Sequence, residues 1–322
     1  MKKYIMIVML LIVLGGCAQT PTQTEDVSLM LDYTPNTNHT GIYVAMDKGY
    51  YAENGINLDV LDTAASSVEQ SVANNVTDFG ISYEENVTQA FDQGIDNLTS
   101  IYGIMKENTS GFISYADKNI TTPEDFADKT YCGWGTNVEQ AIVKQVVADA
   151  GLSKDSISIV NGGVEFLQSN EDDCDIFWEF EGWTNKEADV QGVKYNYIPL
   201  TDLGIDFYTP VIITSKEFEE ENATLVQNFI SATIKGYEYA AKNPDEAAEI
   251  FLQYNPSYDE TMIKKSQEFV SNYYVNDNQK AGYQNDNIWE EFTNFLYDNE
   301  IVSSKDYKEM YTNKYVDEYY KS

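Results

Sequence analysis

The chain has 322 residues and carries 53 acidic against 20 basic side chains, so its formal net charge is −33 at pH 7. Because nucleic-acid binding requires basic patches, this balance argues against a nucleic-acid partner, and it also disfavours a strongly anionic ligand. The length exceeds one typical domain and suits two, and a hydrophobic fraction of 43% is enough to form packed cores.

The N-terminal residues MKKYIMIVMLLIVLGGCAQT place two lysines before an apolar run over 4–14. This run is too short to cross a bilayer, which takes ~20 apolar residues, but it has the length of a signal-peptide core. The LGGC that follows resembles the processing box of bacterial lipoproteins. We therefore expect a signal peptide over 1–16, lipidation of Cys17 that anchors the protein on the extracytoplasmic face of the cell membrane, and a flexible tether over 17–26. The alternative is an ordinary secretory signal that contains a cysteine by chance.

The rest of the chain alternates between strand-like and helix-like segments, an order that is typical of α/β proteins. Strands are predicted at 27–31, 57–61, 78–82, 98–105, 111–115, 130–134, 157–161, 175–179, 194–199 and 210–214. Helices are predicted at 40–48, 66–74, 83–93 and 137–150, and then at 219–243, 244–254, 259–272 and 286–299, which makes the last third helical. Ser66 and Glu69 resemble a capping box at the start of the second helix. The βαβ order predicts parallel sheets with helices on both faces.

The segments that directly follow strands are the candidate binding regions, because open α/β sheets bind ligands at the carboxyl ends of their strands. Five such segments, 32–39, 66–69, 83–86, 134–139 and 178–183, are rich in polar or aromatic side chains. The candidate ligand-binding residues are Asp32, Tyr33, Asn36, Asn38, His39, Ser67, Tyr83, Glu84, Trp134, Glu139, Trp178, Glu181 and, further along the chain, Tyr208.

The first of these segments, DYTPNTNH, contains the only histidine of the sequence. Asn36, Asn38 and His39 offer the donors and acceptors that a neutral polar heterocycle needs, although Thr37 or Asn38 could instead cap the helix that begins at residue 40. We expect some of these side chains to cap the helix and some to contact ligand. His39 is not expected to act as a catalytic base, because no serine or cysteine nucleophile motif accompanies it.

Aromatic and acidic residues dominate the later segments. Trp134 lies between two glycines, where its ring could form a stacking wall; the alternative for both Trp134 and Trp178 is ordinary core packing. Glu139 and Glu181 could accept hydrogen bonds from ring amino groups or could be surface acids. No phosphate-binding, zinc-protease or calcium-loop motif occurs, so we expect neither a metal nor a cofactor.

Two cysteines remain once Cys17 is assigned to lipidation. The spacing of Cys132 and Cys174 fits no metal site. They could form an extracytoplasmic disulfide or remain two buried thiols, and their apolar, strand-like surroundings favour the thiols.

Seven runs are distributed along most of the mature chain: DYTPNTNHTGIYVAMDKGYY, DFGISYEENV, NTSGF, KTYCGWGTNVEQAIVK, FWEFEGW, YNYIPLTDLGIDFYTPVIIT and the tail around GYEYAAKNPDEAA. In this order they resemble the solute-binding lipoproteins of ABC importers, in the branch that includes thiamine-pyrimidine-precursor (formylaminopyrimidine) binding proteins and the related pyrimidine-synthase-like family. Tyr33 stands where tryptophan is common in that family, and Cys132 stands where glycine is common.

The resemblance implies a two-lobe, type II periplasmic-binding-protein fold with the ligand in the cleft between the lobes. It places lobe one at 27–112 and 213–322, and lobe two at 113–212. The implied function is delivery of a thiamine pyrimidine precursor of the aminopyrimidine type to an ABC permease and its ATPase, with riboflavin or another aromatic heterocycle as the alternative ligand. The synthases carry a cysteine-rich iron segment that has no counterpart in this sequence, so we expect a binding protein and not an enzyme.

Overall fold

The computed structural model describes residues 24–63, 67–162, 165–169, 174–276, 278 and 280–321. The expected signal peptide, the lipidation site Cys17, most of the tether and Ser66 lie outside the described residues. Within those residues, none of the helices combines the length and the apolar character that a membrane crossing requires.

Ten strands form two five-stranded sheets of matching design. The first sheet contains β1 (Glu25–Met30), β2 (Ile56–Leu61), β3 (Phe79–Ser82), β4 (Thr99–Gly103) and β10 (Val211–Thr214), in the order β2-β1-β3-β10-β4. The second sheet contains β5 (Ser110–Tyr115), β6 (Thr130–Gly133), β7 (Ser158–Asn161), β8 (Ile176–Phe180) and β9 (Tyr195–Pro199), in the order β7-β6-β8-β5-β9. The expected α/β class is therefore confirmed.

The sheets are mixed, whereas the sequence predicted parallel ones. Strands β10 and β5 each run antiparallel to both of their neighbours. Each of these two strands is entered directly from the other sheet, so the chain arrives from the opposite direction; the βαβ order, which is a local signal, does not show this. The lobe limits inferred from the resemblance remain a prediction. Those limits fall within β5 and β10. In the structure β5 belongs entirely to the second sheet, and β10 belongs entirely to the first.

Twelve α-helices occur in the described part of the chain. They are α1 (Thr40–Asp47), α2 (Tyr50–Glu53), α3 (Val68–Ala73), α4 (Glu84–Asp92), α5 (Asn137–Asp149), α6 (Lys186–Gln191), α7 (Lys216–Glu221), α8 (Ala223–Lys242), α9 (Pro244–Tyr254), α10 (Glu260–Val270), α11 (Asp286–Asp298) and α12 (Lys314–Lys321). The single helix predicted over 219–243 is in fact two, α7 and α8, which are separated at Asn222. Helix α3 is capped by Ser67, whose hydroxyl accepts a hydrogen bond from the Gln70 N–H at 3.1 Å.

Helix α11 contributes to the hydrophobic cores beside both sheets. Its Trp289 is buried in a cluster with Val211 and Ile213 of β10. One turn later, Phe292 packs in the cluster beside the second sheet, where its ring stacks on Phe207 with a centroid separation of 4.2 Å. The helix therefore joins the two halves of the fold.

Cys132 and Cys174 form a disulfide, with a Cα–Cα distance of 5.8 Å. The preference for two free thiols was therefore wrong, although the predicted apolar surroundings are present. The reason is the strand order: β6 lies directly beside β8, with Cys132 paired to Phe177, and this pairing brings the segment before β8 alongside β6. The sequence alone does not show that these two strands are neighbours.

Candidate functional site

Several of the candidate residues follow the carboxyl ends of strands in both sheets. Asp32 follows β1, and Tyr83 follows β3 in the first sheet. Trp134 follows β6, and Glu181 follows β8 in the second sheet. These are the positions where ligands bind in open α/β sheets.

The carboxylate of Asp32 is held by two donors. His39 Nε2 lies 2.8 Å from Asp32 Oδ1, and the Tyr83 hydroxyl donates to Oδ2 at 2.6 Å. His39 Nδ1 accepts the Asn36 N–H at 3.2 Å, which assigns the ring proton to Nε2, facing the carboxylate. Burial opposes ionisation of Asp32, but the interaction with His39 and the hydrogen bonds from His39 and Tyr83 outweigh it and keep the pKa of Asp32 below its ordinary value. A carboxylate has about four acceptor positions, so lone pairs remain beyond the bonds to His39 and Tyr83, but the Asp32 side chain is only 4% exposed.

The polar turn around His39 is used mainly for internal structure. Asn36 caps the 3₁₀ turn Thr37–His39, because its side chain accepts the Asn38 N–H at 2.9 Å. His39 is completely buried, and both of its ring nitrogens have partners within the protein. The Asn38 side chain is partly accessible, while the backbone carbonyl of Asn38 accepts the Tyr237 hydroxyl at 2.7 Å. In this conformation His39 and Asn36 position Asp32 and do not face the cleft.

Trp134 projects from a loop that is shaped by Glu139. The Glu139 carboxylate accepts the backbone N–H groups of Trp134 and Gly135 at 3.0 and 2.8 Å and the Tyr131 hydroxyl at 2.5 Å. Glu139 is 2% exposed whereas Trp134 is 48% exposed, so the glutamate supports the loop and the tryptophan presents its ring. A Cβ atom at Gly133 would lie 1.9 Å from Glu139 Oε1, which explains the glycine before the tryptophan.

Trp178 forms the wall behind Trp134. It is buried, and its ring centroid lies 6.1 Å from that of Trp134 at an interplanar angle of 47°. Trp178 Nε1 is buried without a hydrogen-bond partner among the described residues. The two indoles together give the second sheet an aromatic surface, of which Trp134 is the accessible part.

Further carboxylates surround this region. Glu85 keeps part of its side chain accessible although protein surrounds it, as expected for a residue that lines a cleft. Burial, followed by the negative charges of Glu139 and Glu69, raises the pKa of Glu85 to about 7. Glu179 is buried, accepts the Phe166 N–H at 3.0 Å, and has its pKa raised to about 7, chiefly by burial.

Four other predicted residues make contacts within the protein. Glu84 and Tyr208 are buried and form two reciprocal hydrogen bonds: Glu84 N–H to the Tyr208 carbonyl at 2.9 Å, and Tyr208 N–H to Glu84 Oε2 at 2.8 Å. Ser67 is exposed and caps α3. Glu181 is partly accessible and pairs with Lys186 at 3.3 Å. Glu84 and Tyr208 therefore connect α4 to the chain crossing before β10.

The contacts that join the two halves of the fold include two made by aromatic side chains. The Tyr33 hydroxyl donates to Glu165 Oε1 at 3.2 Å in a bond that is exposed to solvent. Tyr33 itself is half exposed. Trp183 packs edge-on against Tyr258 with a centroid separation of 5.5 Å. The accessible rings of the cleft thus belong to both halves of the fold.

Sequence reasoning did not single out Glu85, Glu179 or Asn185. Asn185 ends the π-helical turn Glu181–Asn185 after β8, and both of its amide atoms are buried without a partner among the described residues. Their positions after strand ends could have identified Glu85 and Asn185. Glu179 could not be singled out among so many acidic residues.

All 20 basic residues are lysine, so the chain has no arginine for bidentate recognition of an anion. In the described ranges, no group of three or more histidine, cysteine or acidic side chains could hold a metal ion.

Comparison with known proteins connects this geometry to one family. Residues 36–247 match the family model described as NMT1/THI5 like. The chain is 26% identical to the formylaminopyrimidine-binding protein of Halalkalibacterium halodurans over 311 residues, which cover 91% of this chain and 92% of that protein. It is 26% identical to a 4-amino-5-hydroxymethyl-2-methylpyrimidine phosphate synthase of Legionella pneumophila, covering 74% and 77%. It is 24% identical to the riboflavin-binding protein RibY of Chloroflexus aurantiacus, covering 91% and 86%.

Solved structures agree on the fold. The alkanesulfonate-binding protein SsuA of Xanthomonas axonopodis superposes with a TM-score of 0.66 at 9% identity, covering 87% of this chain and 95% of that one. A Candida albicans gene product described as having the generic periplasmic binding protein fold gives a TM-score of 0.63 at 16% identity, covering 90% and 96%. These similarities establish a periplasmic-binding-protein fold and, at such low identity, nothing about the ligand.

Proposed function

The chain belongs to the NMT1/THI5-like family, and from that premise we propose that it is the binding lipoprotein of an ABC importer for a thiamine pyrimidine precursor of the aminopyrimidine type. Family and fold fit a solute-binding protein of such an importer. We further propose that lipidated Cys17 anchors the protein and that a permease with its ATPase receives the ligand.

One observation carries the choice of ligand: accessible aromatic rings meet carboxylates in the cleft. Trp134 and Tyr33 each expose about half of their surface. Asp32 and Glu85, which follow strands β1 and β3 of the first sheet, supply acceptors. A flat nitrogen heterocycle would stack on a ring face and donate its amino hydrogens to a carboxylate. In small-molecule sites, aromatic side chains commonly form the walls and a few polar groups fix the orientation of the ligand.

Charge supports the unphosphorylated form of such a ligand. A phosphate group would enter a region that contains Asp32, Glu85 and Glu179 and would find no arginine. Like charges at short range oppose binding unless donors or cations compensate for them. We therefore expect 4-amino-5-hydroxymethyl-2-methylpyrimidine to bind more tightly than its phosphate ester.

A binding role is preferred over catalysis because, among the relatives that align over 91% of the chain, the two named as binding proteins are 26% and 24% identical to it. The yeast relatives named as pyrimidine phosphate synthases align over the same share at 21–22% identity. The family also contains enzymes named as pyrimidine phosphate synthases. Incubation of the protein with the aminopyrimidine, followed by mass spectrometry, should return the compound unchanged. Conversion of the compound would contradict the binding role.

The extracytoplasmic location rests on the N-terminal residues 1–17 and is supported by the Cys132–Cys174 disulfide, because such bonds persist mainly in oxidising compartments. Cys17→Ala should move the protein from the membrane fraction to the soluble fraction, since the acyl chains are the only anchor proposed. A variant that stays in the membrane fraction would contradict the lipoprotein assignment.

Calorimetry with matched compounds tests the ligand. The aminopyrimidine should bind, and its analogue without the 4-amino group should bind more weakly, because the acceptors built for the amine would be left unpaired. Native mass spectrometry of protein purified without refolding would show whether a ligand of this mass is retained. Equal affinity for the two compounds would reject the aminopyrimidine.

Riboflavin is the second candidate, because RibY aligns with the chain over 91% of its length. An isoalloxazine needs a longer slot than one pyrimidine ring. Binding of riboflavin without binding of the aminopyrimidine in the same titration would replace the first ligand by the second.

A further inference from the structure

The Tyr33–Glu165 hydrogen bond connects parts of the chain that lie on opposite sides of the cleft. Tyr33 follows β1 of the first sheet, and Glu165 lies between β7 and β8 of the second sheet. The hydroxyl-to-carboxylate distance is 3.2 Å, and the bond is exposed to solvent. It therefore lies at the outer edge of the cleft.

Both partners are held on well-packed supports. Tyr33 directly follows Asp32, whose carboxylate is fixed by His39 and Tyr83. On the other side, Glu165 Oε2 accepts Gln168 Nε2 at 2.7 Å, which leaves Oε1 for the tyrosine. Because both groups are positioned before they meet, forming the bond costs less side-chain entropy than a bond between two free surface residues.

The next residue anchors Glu165 to the second sheet. Phe166 is fully buried in the cluster that contains the Cys132–Cys174 disulfide, and its N–H donates to Glu179 at 3.0 Å. A movement of the second sheet relative to the first must therefore displace Glu165 from Tyr33. The bond therefore breaks when the two halves separate, and its loss opposes that separation.

The hydrogen bond requires that the Tyr33 hydroxyl keep its proton. Burial, followed by the negative charge of Glu165 and the hydrogen bond to it, raises the pKa of Tyr33. Glu179 and Tyr258 act in the same direction. The Tyr33 hydroxyl therefore keeps its proton and remains a donor at neutral pH.

We propose that Tyr33 and Glu165 form a latch that holds the cleft closed and slows release of the bound solute. The proposal rests on the solute-binding function proposed above, but not on the identity of the solute. Both members act as positioning residues for the closed state: the hydroxyl of Tyr33 contacts the opposite half of the protein and not the ligand, while its ring remains a wall of the site.

The test uses Tyr33→Phe, which keeps the ring, and Glu165→Ala, which removes the acceptor. Tyr254→Phe is the matched control, because it removes a hydroxyl from an equally exposed tyrosine whose ring packs on Tyr43 within the first half. Spin labels at the exposed positions Glu53 and Gln191, in a Cys17→Ser background, report the distance between the halves in ligand-free protein. Stopped-flow tryptophan fluorescence gives the release rate of 4-amino-5-hydroxymethyl-2-methylpyrimidine.

Each latch variant should shift the ligand-free distance distribution towards longer values and raise the release rate about three- to tenfold, with no further effect when the two are combined. The control should change neither quantity. Unchanged distances in both variants would overturn the latch. A faster release in Tyr33→Phe with none in Glu165→Ala would also overturn it, since the hydroxyl would then contact the solute. If this pyrimidine fails to bind to the unmodified protein, the proposed ligand is wrong, and the distances still decide the latch.

Discussion

Replacing Asp32 by asparagine would test whether this carboxylate organises the first half of the cleft. The substitution keeps one oxygen that can accept from His39 but places an amide where Tyr83 now donates at 2.6 Å. A hydrogen bond to a charged group contributes about 1.5–3 kcal/mol and one between neutral groups about 0.5–1.5 kcal/mol. We therefore expect a loss of roughly 1–3 kcal/mol in the free energy of unfolding. Asp32→Ala, which leaves both donors unpaired in a buried site, should cost roughly 2–6 kcal/mol, about 1–3 kcal/mol for each donor.

The pH dependence gives this prediction a second, independent readout. The folded-state pKa of Asp32 lies below the ordinary value of 3.8, so the ionised carboxylate contributes stability that is fully present above that value. This stability is lost as the pH falls through the folded-state pKa. The difference between the unmodified protein and Asp32→Asn should thus be constant near neutral pH and should shrink in acid below about pH 4.

Urea unfolding followed by circular dichroism, repeated across this pH range, measures the difference. Asp59→Asn is the control, since Asp59 is an exposed residue of the neighbouring strand β2, and its effect should stay within about 0.5 kcal/mol. An effect of Asp32→Asn no larger than that of the control, or one that does not decrease in acid, would refute the assigned role of Asp32.

Three further substitutions test the opposite side of the cleft and its charge. Trp134→Ala should weaken binding of the aminopyrimidine by about 1–3 kcal/mol in calorimetry, through lost stacking and lost burial; unchanged affinity in the folded variant would remove Trp134 from the site. Gly133→Ala should displace the Glu139 carboxylate, which lies 1.9 Å from the added methyl position, and should cost about 1–3 kcal/mol of stability in urea; an unaffected protein would show that the loop is not tightly held. Glu85→Gln should raise stability at pH 8 by about 1 kcal/mol, because the folded protein disfavours the ionised form of a carboxyl whose pKa is about 7. That gain should disappear near pH 4, where the glutamate is protonated in the folded state, and a gain independent of pH would point to another cause.

Local patterns were sufficient to predict most strands and helices, because each depends on periodicity and capping within one segment. Ser67, adjacent to the predicted cap Ser66, illustrates the usual error of one residue at a helix end. The disulfide and the antiparallel strands could not be predicted in this way. They depend on which distant segments become neighbours, and the pairing of Cys132 with Phe177 in adjacent strands has no local signature.

The candidate site stays a prediction. The rule about strand ends led to Asp32, Tyr83 and Trp134, which follow strands β1, β3 and β6. It could not distinguish a residue that faces the cleft from one that supports it. His39 and Glu139 were expected to contact ligand, yet each uses its polar atoms within the protein, because a buried polar group must be paired and their nearest partners belong to the same loop.

Helix α11 has a consequence for how the protein unfolds. Trp289 and Phe292 are one turn apart, yet they belong to cores beside different sheets. If either half lost its structure, the same helix would lose part of its packing, and the exposed aromatic surface would destabilise the other half. The two halves should therefore melt together in one cooperative transition, with hydrogen exchange of both sheets governed by the same global opening. A fragment containing only the second sheet would lack Phe292 and would expose the stacked face of Phe207.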